Sequence, residues 1–287
     1  MAGSPKAARI LSRVVDDRQG QRGERRRRPA PGGWSGPGRA RPVQPRSAAG
    51  SDTQGDRAPH DAGSGPPIPP GVEAKQLAPE IRRELSTLDR ATADAVARHL
   101  VAAGELIDED PDAALRHARA ARARASRIAT IREAVGIAAY HCGDWAQALA
   151  ELRAARRMGS KSPLLALIAD CERGLGRPER AIELARGPEA AGLDGDDADE
   201  LRIVAAGARS DLGQFEQALT VLSTPQLDPA REGSTAARLF YAYADTLLAL
   251  GRNDEALQWF LRSAAADIEG VTDAEDRVDE LGSAEKK

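Results

Sequence analysis

The sequence predicts an all-α solenoid of about five helix-turn-helix units behind a basic arm of low complexity. Three observations carry that prediction. One short phrase recurs five times, as Glu109-Asp-Pro-Asp-Ala-Ala-Leu115, Gly143-Asp-Trp-Ala-Gln-Ala-Leu149, Gly176-Arg-Pro-Glu-Arg-Ala-Ile182, Gly213-Gln-Phe-Glu-Gln-Ala-Leu219 and Gly251-Arg-Asn-Asp-Glu-Ala-Leu257. Its anchoring alanines, Ala114, Ala148, Ala181, Ala218 and Ala256, stand 34, 33, 37 and 38 residues apart, close to the period of a two-helix repeat. The apolar content is 41% of the chain, mostly Ala and Leu, with only 3% aromatic residues, which suits close-packed helices.

Residues 1–75 are a different material from residues 76–287. Pro, Gly, Arg, Ser and Ala dominate there, as in Pro29-Ala-Pro-Gly-Gly-Trp-Ser-Gly-Pro-Gly38. Such a segment buries too little apolar surface to offset its ordering entropy, so a disordered arm is expected. The stretch Gly65-Pro-Pro-Ile-Pro-Pro-Gly71 reads as a semi-extended connection to the array. The arm holds 14 basic and 7 acidic residues, about +7, and the rest holds 27 and 37, about −10.

The array should open with a capping helix over Leu77–Leu88, with Pro79 in its first turn and Ile81, Leu85 and Leu88 on its apolar face. Each unit then follows one plan. An apolar segment stops at Gly, which takes the left-handed conformation without a Cβ penalty. A polar turn follows, and Ala then marks where two helix backbones come too close for a larger side chain. In the second unit the helices are expected near 129–142 and 145–157, with Gly136 allowing their close contact and Pro163 opening the next unit. The acidic run from Asp194 to Glu200 reads as an enlarged loop whose carboxylates suit the start of the next helix. The segment Thr224–Ala230 accounts for the last long spacing. A capping box at Thr272-Asp-Ala-Glu275 should start a short closing helix ending near Leu281-Gly282.

These repeats resemble the tetratricopeptide repeat (TPR) superfamily over roughly residues 95–268. Gly136, Ala148 and the aromatic Trp145 carry the match in the second unit, and Phe215 and Phe260 are comparable aromatics. The usual large aromatic early in the first helix is replaced by Arg98, Arg132, Leu165 and Arg202, and only Phe240 fits. A narrower resemblance is to high-GC bacterial TPR proteins with an Arg/Gly-rich N-terminal arm, which carries no established activity with it. The resemblance implies a right-handed TPR-like α-solenoid whose first helices line a concave groove. In that register the groove residues include His99, Ile137, His141, Glu200 and Asp211, with Glu133, Tyr140, Asp170, Arg173, Arg238, Tyr241 and Asp245 as the partner-binding set. The Lys/Asn clamp that holds the C-terminal carboxylate of heat-shock chaperones is absent from the matching pairs, so that ligand is excluded.

The function expected is a cytoplasmic protein-interaction module or adaptor, not an enzyme. Its partner would be another protein, offering a basic or amphipathic segment to an acidic, aromatic groove. Nucleic acid is the alternative partner, gripped by Arg22, Arg25, Arg26, Arg27 and Arg28 with Trp34 stacking on bases. The charge split offers a third use of the arm, folding over the array and competing with partners. Self-association through the solenoid ends is a further expectation. No nucleophile elbow, phosphate-binding Gly-rich loop or His-Glu-x-x-His helix is present. No cofactor or metal is expected: Cys142 and Cys171 lack paired-ligand spacing, and the acidic run lacks the Gly and Glu offsets of a calcium loop. No apolar run is long enough for a signal peptide or a membrane span.

Overall fold

The computed structural model describes residues 65–284. Within them the chain forms twelve α-helices and no strand. A short α1, Pro79–Glu84, leads into five helix pairs: α2 Arg90–Leu106 with α3 Pro111–Arg124, α4 Ala129–His141 with α5 Trp145–Arg157, α6 Leu165–Gly174 with α7 Pro178–Ala185, α8 Gly195–Asp211 with α9 Phe215–Leu222, and α10 Ser234–Ala249 with α11 Asn253–Ala266. Helix α12, Ala274–Ala284, closes the series. The expected disordered arm falls almost wholly on residues outside this range.

The repeated glycine behaves as the sequence predicts. Gly143, Gly176, Gly213 and Gly251 follow first helices with φ of 72°, 72°, 71° and 74°. In each case the next residue donates its N–H to a carbonyl five positions back: Asp144 to Ala139, Arg177 to Glu172, Gln214 to Arg209 and Arg252 to Leu247. This is the double-bonded helix ending that satisfies otherwise orphaned carbonyls. Glu109 occupies that place in the first unit, and there Asp110 donates to Leu106, four positions back. Asp110 and Asp144 then cap the second helices by accepting from the N–H of Ala113 and Gln147.

The repeated alanine is equally consistent. Ala114, Ala148, Ala181, Ala218 and Ala256 are all fully buried. Close packing around them extends to Gly136, where an added Cβ would lie 2.7 Å from Leu152 Cγ and 3.2 Å from its backbone nitrogen. Gly136→Ala gains about 1 kcal/mol of helix propensity, but overpacking against the buried Leu152 costs about 1–3 kcal/mol. The expected result is a lower denaturation midpoint, and an unchanged or higher one would show that α4 and α5 have room to separate.

The ends differ in detail from the sequence reading. The connection before residue 76 lies against the first unit. Val72 and Leu77 are buried, Ile68 packs on the core, and Gly65 sits on the side chains of Ala120 and His99. Three apolar side chains, together with a glycine where a Cβ would clash, account for that packing. At the far end, Thr272 donates from both its N–H and its hydroxyl to the carboxylate of Asp267, and α12 begins only at Ala274. The preceding turn thus engages the hydroxyl expected to cap the helix.

Candidate functional site

The first helices of successive units pack on one another, α6 on α8 and α8 on α10, and a row of polar side chains joins them. The Tyr140 hydroxyl of α4 donates to Asp170 of α6 at 2.5 Å. Asp170 accepts from Arg173 Nη1 at 2.8 Å, and Arg173 reaches across to Asp211 at the end of α8 with two bonds of 2.8 and 3.2 Å. Gly207 makes that reach possible, because a Cβ there would lie 2.7 Å from the guanidinium carbon. Farther along, Arg238 of α10 meets Glu200 of α8 at 2.6 Å, and Arg277 of α12 lies 3.8 Å from Asp245 of α10. Glu133 accepts from the Ser162 hydroxyl at 2.7 Å.

Environment sets the charge of these groups. Burial, then the neighbouring Asp170 charge, raises the Tyr140 phenol well above its ordinary range, so it stays a neutral donor. Burial opposes the charge on Arg173, but Asp170 and Asp211 outweigh it and its pKa rises. Burial raises Asp245 against the pull of Arg277. Burial also raises Glu133, with Ser160 and Ser162 acting the other way.

The predicted partner-binding residues therefore divide into two groups. Asp170, Arg173, Arg238 and Asp245 remain partly accessible on the row. Tyr241 does not: it is 1% exposed, stacks edge-on against Phe260 at 5.1 Å and hydrogen-bonds Asp273 ahead of α12. Tyr140 and Glu133 are also buried, as are His99, Ile137 and Glu200. Counting by register places these residues on the inner side of a helix, and the following helix then covers them. Arg22, Arg25, Arg26, Arg27 and Arg28 lie outside the described residues, as does Trp34.

Sequence reasoning missed the buried carboxylates on the other flank. Glu151 receives Arg122 and Arg132, Glu172 receives Arg153 and Arg177, and Asp199 receives Arg202 and Arg231. Glu151 and Glu172 link neighbouring helices, Asp199 ties its helix to the loop at Arg231, and nothing in the spacing of single charged residues marks them. A cleft of about 660 Å³ opens between α5 and α7. Each of its four arginines is ion-paired, Arg153 and Arg177 to the shared Glu172, Arg156 to Glu189 and Arg180 to Glu183. Among the described residues no cluster of His, Cys, Asp and Glu is arranged to hold a metal ion, and no helix is long and apolar enough to cross a membrane. Both cysteines are free thiols, and burial, then Asp112, pushes Cys142 up to about 11.

A family model described as tetratrico peptide repeat matches residues 165–271, which run from α6 through α11 and into the turn beyond. Among solved structures, the chain is similar to YrrB, described as a TPR protein with an unusual peptide-binding site. The identity is 19% and the TM-score 0.43, over 69% of this chain and 95% of that one. No curated protein matches the sequence.

Proposed function

The chain belongs to the tetratricopeptide repeat superfamily, and on that premise we propose that it is a protein-interaction module that binds a partner segment along the row of first helices. The family and fold are those of a scaffold. The observation that carries the reading is the Asp170–Arg173–Asp211 set at the joint of α6 and α8. Asp211 ends its helix on the surface, and Arg173 reaches it by lying over Gly207, where no side chain stands in the way. A basic residue of a partner can share the Asp211 carboxylate, whose side chain is 30% exposed, while Arg173 keeps its bond to Asp170. Rigid helices present Asp170, Arg238 and Asp245 at further points on the same row, so an extended or helical segment engages several units at once.

Selection of phage-displayed random peptides on the full chain tests this. The selected peptides should carry Lys or Arg beside an apolar residue. Asp211→Lys should weaken them about tenfold or more, equivalent to about 1.4 kcal/mol, in a chain that keeps its helix signal by circular dichroism. Peptides that bind Asp211→Lys as well as the parent chain would place the interaction elsewhere.

A further inference from the structure

The second helices are unequal. Helices α3, α5 and α11 run for 14, 13 and 14 residues, whereas α7 and α9 stop after 8. Two short outer helices in succession leave the flank of α8 partly uncovered, and a slot of about 200 Å³ opens there. Its walls are Ile182 and Ala185 of α7, Ala198, Leu201 and Ala205 of α8, and Val221 of α9. Ordinary small-molecule sites occupy about 300–1,000 Å³, so this slot takes one side chain rather than a whole ligand.

Three arginines border it, and they differ in what they have to bind. Arg202 is fully engaged, with Asp199 and with the carbonyls of Val221, Leu222 and Pro225. Arg209 is 8% exposed and donates to the Gln214 side-chain oxygen at 2.9 Å. Arg186 stands exposed at the end of α7 and lines the same slot as Arg209. Neither Arg186 nor Arg209 is ion-paired among the described residues, while Arg173, Arg202 and Arg238 each meet a carboxylate. An enclosed guanidinium without an anion, such as that of Arg209, is a costly arrangement, and with the exposed Arg186 on the same apolar slot it defines a complementary shape: a large apolar side chain with a carboxylate next to it.

The geometry points to a second docking site on the outer flank of α8, for a partner protein segment that places a large apolar residue in the slot and an adjacent Asp or Glu on Arg186 and Arg209. The chain's own basic arm has the wrong charge for this place. The site prefers acid, whereas the row of first helices prefers base, and it does not rest on the reading of that row.

Titration of the ¹⁵N-labelled full chain tests the site. Three heptapeptides serve as probes: Ser-Gly-Ser-Leu-Asp-Gly-Ser, the same peptide with Lys for Asp, and the same with Ala for Leu. The Leu-Asp peptide should shift the amides of Ala198, Leu201 and Ala205, and the two controls should not. Arg186→Glu, at an exposed position with no structural partner, should weaken that binding about fivefold or more, the equivalent of about 1 kcal/mol. Asp211→Lys should leave it unchanged, so loss of the inner reading and loss of this one are separable. Equal shifts with the Lys control, no shift up to about 5 mM peptide, a Kd above which binding is worth only about 3 kcal/mol, or indifference to Arg186→Glu would overturn the proposal.

Discussion

Ala148→Asp should unfold the second and third units. Ala148 is fully buried in α5, four residues before the Leu152 that packs on Gly136. A carboxylate there displaces packed atoms and loses its hydration. Helix propensity alone would cost well under 1 kcal/mol for Ala to Asp, whereas an unpaired buried charge costs on the order of several kcal/mol. Burial therefore decides the outcome. Each unit of a solenoid leans only on its neighbours, so the damage should fall on α4 to α7 first. Circular dichroism should show loss of part of the helix signal at low temperature. Hydrogen exchange should show lost protection in α4 to α7 before α10 and α11. A melt unchanged from the parent chain would mean that Ala148 is not at the contact between α4 and α5.

That prediction was available from the sequence alone because the features behind it are local. Gly143, Gly176, Gly213 and Gly251 each end a helix through the same pair of backbone bonds, and a chain signals such endings by residue type. The five buried alanines follow from the same phrase. Partners across a joint are less legible. They depend on how far each unit rotates against the last, and the spacing reports the period but not the rotation. Hence Asp170 and Arg173 could be placed on the row, while the reach of Arg173 over Gly207 to Asp211 could not. Tyr241 shows the same limit: its position in α10 faces inward, but α12 and the turn before it cover that position. The slot beside α8 was hidden for another reason. It arises from the lengths of α7 and α9, and helix ends are harder to place from sequence than helix existence.

Acidification between pH 6.5 and pH 5 should loosen the first unit. His99 of α2 and His117 of α3 are both 4% exposed and share one hydrogen between their Nδ1 atoms at 2.9 Å. Burial, then the charges of His117, Arg124 and Arg98, lowers His99 to about 4, while burial and Arg116 lower His117. Neutral rings suit this contact, because one Nδ1 donates and the other accepts. With both rings protonated, two donors would face each other. The folded state thus binds fewer protons than the unfolded chain, whose histidines titrate near 6.5. Stability is full above pH 6.5 and is lost as pH falls towards 4. By linkage, His99 alone withdraws about 2 kcal/mol by pH 5. His141, lowered by burial, acts in the same direction. Glu105, Glu133 and Asp245 are raised by burial, so they act in the opposite direction, but only nearer the carboxylate range. That leaves pH 6.5 to 5 as the diagnostic window. Hydrogen exchange should accelerate in α2 and α3 ahead of α10 and α11, since the pair joins these two helices and Gly65 lies against the His99 ring. The double variant His99→Leu, His117→Leu should flatten the pH dependence across that window. If the slope survives in that variant, the proton uptake belongs to other groups and the pair is only a neutral packing contact.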